Sequence, residues 1–423
     1  MIRWITDKLG TASYYDYESL QDSIDVVLID VRELTDKEGN KANFIMDKIQ
    51  AVLKNLQDGR KVVICCDKGI SRSNAIALGV LMASGISYEE SLQILNKNIG
   101  ARDINLGLLY DIRSLYEEPK IKQKVPTNIL ITGSTGFIGR FLVNVLKSDY
   151  ELFCPSHKEL DLTSDLTLLD LYINKNKIGF IVHLAHPKSR NNITSIGESI
   201  IMIKNILEIC RLNGLGLLYI SGLVVFSGHT TGSIMKANSS LKLNPKGVYA
   251  ESKYFCEEMI RLYQETWGIN AVILRPAALY GKEMDRSTFV SKFFELAIKG
   301  ETIYTHEYNN GLPVFDFLYL DDLVDAIRLA IQVKPKIPVN IGTGKGTSTY
   351  ELAQAIVKAV DSNSSVKTIQ IQDETYKVIV DPSESETYLG WKAKIDLNSG
   401  IKELWDYYRN QNIFSLMQRK DSS

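Results

Sequence analysis

The sequence predicts an α/β protein in two parts, a small α/β domain followed by a doubly wound parallel sheet with a smaller C-terminal part. Three observations predict it. Strand and helix patterns alternate for nearly 300 residues after position 126, as in sheets of parallel strands joined by helices. In each part a buried apolar run leads into a glycine-bearing loop and then a helix. Between the parts lies Glu117-Glu118-Pro119-Lys120-Ile121-Lys122-Gln123-Lys124-Val125-Pro126, which is polar, charged and bracketed by prolines. The expected division is a domain over 1–118, a linker over 119–126 and a domain over 127–415, with a loose tail from Gln418 to Ser423.

The chain has 423 residues, 45% apolar and 23% charged, which excludes a disordered, coiled-coil or collagen-like class. Basic and acidic residues number 49 and 50, split 17 against 18 before Val125 and 32 against 32 from there on. Neither part has the cationic excess that nucleic acid or an acidic membrane requires, so neither is expected as a partner. The start, Met1 to Lys8, is charged where a signal peptide has its apolar core. The longest apolar runs are about a dozen residues, short of the ~20 of a membrane span. Five cysteines make no disulfide framework, and a soluble cytoplasmic protein with reduced thiols is expected. No metal site is expected.

In the first part, strands are read at Val26–Ile29 and Lys61–Ile64, with helices at Phe44–Leu56 and Ser73–Ala83. The run Val62-Val63-Ile64-Cys65-Cys66-Asp67-Lys68-Gly69-Ile70-Ser71-Arg72-Ser73-Asn74 is a strand, a loop and a helix start. Gly69 lets successive backbone N–H groups turn inward as an anion nest, and the helix adds its positive N-terminus. Arg72 offers a planar fork to two phosphate oxygens. Cys66 lies at the focus, where a thiol pKa falls from ~8.5 into the range ~3.5–7.5. A thiolate facing a bound phosphate is a nucleophile.

These residues resemble the dual-specificity branch of the protein tyrosine phosphatases, over about residues 1–117. The resemblance implies Cys66 as nucleophile through a phospho-cysteine intermediate, Arg72 as phosphate ligand and Ser73 as an aid to thiolate departure. It implies Asp36 as the acid that protonates the leaving alcohol, with Asp30 as second choice. The substrate would be a phosphorylated sugar or other metabolite, or a phosphoprotein. The family has His directly before the nucleophile, and this chain has Cys65. The adjacency also permits a Cys65–Cys66 disulfide.

In the second part, strands are read at Asn128–Ile131, Phe180–His183, Gly216–Ile220 and Ala271–Leu274. The first runs into Thr132-Gly133-Ser134-Thr135-Gly136-Phe137-Ile138-Gly139, a glycine turn whose Phe137 and Ile138 open a helix. Gly133 allows the turn, Gly136 the close approach of a pyrophosphate, and Gly139 tight helix–strand packing, a dinucleotide fingerprint. At the end of the second strand, where an acidic residue would bind the ribose of NAD, stands Ser156, followed by His157 and Lys158. That favours a 2′-phosphate, hence NADP over NAD. Asp161 is read as an adenine-side contact. Tyr249 and Lys253 stand four apart on a predicted helix and share a face. An ammonium beside a phenol stabilises phenolate and makes Tyr249 a usable acid/base for an alcohol/ketone couple.

Together these motifs resemble the extended short-chain dehydrogenase/reductase superfamily of nucleotide-sugar epimerases, dehydratases and reductases, over about residues 127–410. Val182-His183-Leu184-Ala185, Leu274-Arg275-Pro276, Leu279-Tyr280-Gly281, Phe317 to Leu323, Asn340 to Gly344 and Tyr388-Leu389-Gly390-Trp391 match later landmarks. The resemblance implies a Rossmann domain with Leu184 and Ala185 flanking the cofactor, Tyr249 as acid/base and Lys253 as its activator and ribose ligand. It implies a nucleotide-sugar-like substrate and a homodimer. The family's third catalytic group, a Ser or Thr, aligns with Gly222; Ser221 lies one residue earlier, on the other face of the strand. Leu223 and Val224 cannot replace the acidic pair of the dehydratases, so an epimerase or reductase is expected. His186 stands where the family has a small residue, within reach of nicotinamide or substrate or simply packed. Two functions follow. The chain is a bifunctional enzyme, or it is a regulator or scaffold that binds phosphate and dinucleotide with lapsed chemistry.

Overall fold

Five buried residues in succession, Val62–Cys66, cannot sit at a solvent edge, and in the computed structural model they form a central strand of a small sheet. The structure describes residues 1–18, 26–37, 39–100, 104–116, 127–164, 166–189, 192–230 and 233–411. The expected linker and tail lie outside these. The described chain packs as two compact units. One holds Met1–Gln123 with Leu160–Lys177 and Glu208–Gly214; the other holds Lys124–Glu159, Ile178–Leu207 and Leu215–Ser423.

In the first unit, β1 (Arg3–Trp4), β2 (Leu9–Ser13), β3 (Val27–Asp30) and β4 (Val62–Cys66) form a sheet in the order β1-β2-β4-β3. β4 runs parallel to both β2 and β3. Helices Ala42–Gln57 and Arg72–Ala83 pack together, the second buried along most of its length.

In the second unit, β5 (Asn128–Thr132), β6 (Glu151–Phe153), β7 (Phe180–His183), β8 (Gly216–Ile220), β10 (Asn270–Pro276) and β14 (Val339–Ile341) make one sheet, with β9 (Met235–Ala237) outside it. The order is β14-β10-β8-β7-β5-β6, and every pair is parallel. The strands expected from sequence are present, with ends moved by a residue or two. The winding reverses between β5 and β7, which is where α/β sheets open a crevice at their carboxyl ends. A core of Ile129, Ile131, Phe180, Val182, Leu218, Val272 and Leu274 fills the sheet's face.

Outside that sheet, the strands β11 (Ala278–Tyr280), β13 (Val314–Tyr319), β17 (Lys377–Val380) and β9 form a second sheet, with β15 (Gly346–Ser348) antiparallel on β13. A further parallel pair joins β12 (Ile303–Tyr308) to β16 (Val366–Ile371). Around it, Tyr280, Phe293, Phe294, Tyr319, Leu352 and Leu404 form their own core. Among the described residues no helix is long and apolar enough to cross a membrane.

Candidate active site

At the reversal of the large sheet, the chain leaves β5 through Gly133, whose φ of 71° is left-handed. A Cβ there would lie 2.7 Å from Ala185 N and 2.8 Å from Leu184 C, so the turn lies directly on the backbone after β7. A Cβ on Gly139 would lie 2.4 Å from Gly133 O, and one on Gly136 3.2 Å from it. The three glycines thus make a cradle that side chains would fill. The helix Phe137–Leu146 starts at Gly136 with no side-chain cap, so its first N–H groups face outward from a bare N-terminus. A dinucleotide's pyrophosphate fits this shape and polarity. Arg140 braces the turn, donating to Thr135 O at 2.8 Å and pairing with Glu283 at 2.9 Å.

Thr132 and His183, at the ends of β5 and β7, share a buried hydrogen bond of 2.7 Å. Burial, the Lys253 charge and His186 push the His183 pKa down to about 3, so the ring is neutral. Ser156 is exposed after β6, and its N–H donates to Glu159 Oε2 at 2.7 Å. That bond holds the Glu159 carboxyl below its usual range, and places an anion at a strand end where the sequence has Ser156 in the acidic position. Asp161 accepts from Thr163 N and Oγ1 at 2.9 and 2.7 Å, a local turn.

The helix Val248–Trp267 carries Tyr249 and Lys253. Lys253 is buried, donates to Ile220 O at 2.7 Å, and its Nζ lies 5.8 Å from the Tyr249 ring centroid. His186 meets Tyr249 edge-on, with centroids 5.0 Å apart at 67°. Gly222 stands just past β8 with extended backbone, and a Cβ there would meet Val224 Cγ1 at 3.6 Å, an ordinary contact. Buried Glu257 holds Arg275 by two-point contact, with the closest distance 2.5 Å.

In the first unit, Cys66 ends β4 and is buried. Its sulfur accepts from Gly69 N–H at 3.2 Å and lies 3.4 Å from Ser73 Oγ. Burial pushes the thiol up. Hydrogen bonds from the Ser73 hydroxyl and from the Ser73, Ile70 and Gly69 N–H groups more than reverse this, so its pKa lies below the ordinary value. Gly69 (φ 65°) backs onto β2, where a Cβ would strike Ala12 C at 2.3 Å. Thr11 and Asn74 hold the loop from below: Thr11 donates to Asn74 at 2.9 Å, and Asn74 donates to Ile70 O at 2.5 Å.

The expected roles of the other residues meet a different geometry. Arg72 donates to Arg32 O and Leu34 O at 2.9 and 3.2 Å, and pairs with Asp67. A carboxylate five residues upstream is the nearest anion to its fork and satisfies it. Asp36 is exposed and accepts from the Ser71 hydroxyl at 2.5 Å. For Asp30, burial raises the pKa, but the Arg32 fork at 2.7–3.1 Å lowers it further and holds a carboxylate, which cannot donate a proton. Cys65 and Cys66 are both free thiols, so the disulfide is not formed. Cys65 packs with Ala12, Tyr17 and Val63, and burial pushes its pKa up to about 12.

Comparison with known proteins places the larger unit. The chain is 30% identical over 296 residues to the GDP-6-deoxy-D-talose 4-dehydrogenase of Aggregatibacter actinomycetemcomitans, covering 67% of this chain and 97% of that one. It is similar in fold to the UDP-glucose 4-epimerase of Thermus thermophilus in complex with NAD (TM-score 0.59, 23% identity, 67% and 99% covered). It is similar in fold also to RMD of Pseudomonas aeruginosa complexed with NADPH (TM-score 0.59, 17% identity, 67% and 99% covered). Residues 129–342 match the NAD dependent epimerase/dehydratase family. That match spans all six strands of the parallel sheet, from β5 to just past β14, and on it the chain belongs to the NAD dependent epimerase/dehydratase family.

Proposed function

We propose that the second unit is an NAD(P)-dependent epimerase or reductase acting on a hydroxyl-bearing carbon of a nucleotide sugar. The observation that carries this is Tyr249 and Lys253 on one helix face, in the same unit as a glycine cradle at the sheet's reversal. When bound, the nicotinamide supplies hydride transfer. Gly133, Gly136 and Gly139 make room for the diphosphate, and the N–H groups of Phe137 and Ile138 face it. Leu184 and Ala185 wall the crevice. The Tyr249 oxygen accepts the proton of the substrate alcohol as phenolate, and the hydroxyl so formed returns that proton to the ketone oxygen when the ketone is reduced. The ammonium of Lys253 is held by Ile220 O one turn on from Tyr249, where it would also bind the ribose. Gly222 contributes no hydroxyl to the substrate oxygen. Losing such a donor costs ~10²–10³ in rate, so turnover is expected to be slow. The relatives are a GDP-sugar dehydrogenase and a UDP-sugar epimerase, which supports the substrate class. The test is interconversion of UDP-glucose and UDP-galactose by purified protein, abolished in Tyr249→Phe, with native mass spectrometry of the retained dinucleotide.

A second reading concerns the first unit, a cysteine phosphatase that would make the chain bifunctional. The lowered Cys66 thiol, held by Gly69 and Ser73, supports it. Cys66 is then the nucleophile, Arg72 the phosphate ligand once released from Asp67, Ser73 the aid to departure and Asp36 the acid. Hydrolysis of p-nitrophenyl phosphate, lost in Cys66→Ser and reduced in Asp36→Ala, is the expected result. Absence of both activities, with NADH still raising the melting temperature, favours the regulator or scaffold instead.

A further inference from the structure

At position 222 the site has no side chain, and Ser221 does not take its place. The Ser221 hydroxyl is buried and has no hydrogen-bond partner among the described residues, on the opposite face of the chain as it leaves β8. The polar ring next to Tyr249 is His186, three residues past the end of β7.

His186 is tied into a closed circuit. Its Nδ1 lies 2.9 Å from Pro187 O. A carbonyl only accepts, so Nδ1 carries a proton. Nε2 lies 3.3 Å from Ser252 Oγ. Ser252 Oγ in turn donates to the carbonyl of Tyr249 at 2.8 Å. The path therefore runs from the Tyr249 backbone through Ser252 to the imidazole, and from the imidazole edge-on to the Tyr249 ring. A tyrosine ring has two side-chain torsions to fix. This circuit fixes them relative to the helix that carries the residue, and Lys253 on the next turn is fixed by Ile220 O.

We propose that His186 is a positioning residue for Tyr249. Its ring holds the phenol in the reactive orientation, supplying preorganisation that the site lacks without a hydroxyl at position 222. The proposal rests on Tyr249 being the acid/base of the alcohol/ketone step.

The test is a double-mutant cycle of His186→Ala with Gly222→Ser in the full chain, using UDP-galactose as probe. His186→Ala lowers kcat about 100-fold while KM and NADH affinity stay within about twofold, and added imidazole restores about tenfold of the loss. In the Gly222→Ser background, where a hydroxyl also orients the substrate oxygen, the same change costs less than about tenfold. Equal losses in the two backgrounds, or a change in KM alone, overturn the proposal. If the wild type turns over no UDP-sugar, the enzymatic reading of Tyr249 fails separately. The ring contact is then decided by fluorine NMR of fluorotyrosine-labelled protein, with the Tyr249 signal assigned through Tyr249→Phe. A single sharp signal that splits or broadens in His186→Ala supports the positioning role. A signal unchanged by the substitution overturns it.

Discussion

Thr132 and His183 stand 2.7 Å apart, side by side on adjacent strands where the large sheet reverses its winding. The Ala185 N–H also reaches Thr132 Oγ1, at 3.4 Å, so one hydroxyl joins the two chain segments that flank the glycine cradle.

That pair has a pH signature. The folded pKa of His183 is pushed down to about 3, below the ordinary 6.5. The unfolded chain therefore binds a proton that the folded one refuses. The stabilisation is complete above pH 6.5 and is lost as pH falls towards 3. For one proton the slope approaches about 1.4 kcal/mol per pH unit. Urea midpoints measured between pH 7 and pH 4 fall more steeply in the wild type than in His183→Gln.

Gly222→Ser adds a side chain where the nearest atom to its Cβ is 3.6 Å away and the backbone is extended. The melting temperature is expected to hold, and kcat for UDP-sugar turnover to rise roughly tenfold or more. Stability lost without gain in rate counts against the alignment of this position.

Glu257 and Arg275 are buried together at 2.5 Å. Glu257→Gln strands a guanidinium and costs about 3–5 kcal/mol in denaturant unfolding. The double substitution Glu257→Leu with Arg275→Met costs less than the single one, because neither charge is left behind.

The end of β6 carries opposing signals for the dinucleotide. On the proposed reading, His157 and Lys158 would favour a 2′-phosphate, while the Glu159 carboxylate on Ser156 N–H would repel one. Glu159→Gln shifts the ratio of NADH to NADPH dissociation constants towards NADPH, about tenfold or more, read by fluorescence titration.

Asp67 and Cys66 can be probed together. Iodoacetamide alkylation of Cys66 has a midpoint pH below the ordinary ~8.5 of a thiol, as its hydrogen bonds require. Asp67→Asn releases Arg72, and inhibition of p-nitrophenyl phosphate hydrolysis by inorganic phosphate tightens roughly tenfold. Unchanged inhibition places the Arg72 fork away from the bound anion.

What the sequence made legible is local. The glycine spacing after β5 is a constraint on consecutive backbone, and the shared face of Tyr249 and Lys253 follows from their i, i+4 spacing on a helix. The alignment of Gly222 with the third catalytic group came from the family resemblance, carried along one strand. The contacts that escaped are those no short periodic pattern encodes, within a loop or between distant segments. Asp67 turns back onto Arg72, Glu159 folds onto Ser156, and Ser252 meets His186 across 66 positions. The short strands β9 and β17 pair Met235 with Val378, a partnership that no run of three or four residues announces.

The position of β6 has a consequence for how this protein can change. It is three residues long and lies at the sheet's edge, bonded to β5 alone among the described strands. The turn from Ser156 to Glu159 hangs from it and is exposed. The cradle at Gly133 leaves an inner strand and has no room for a methyl group. On the proposed reading, grip on the cofactor and choice between cofactors fall in segments of opposite mutational tolerance. The first is held by packing and the second is exposed, so on that reading a change of dinucleotide would be accommodated at the edge of the sheet with the fold intact.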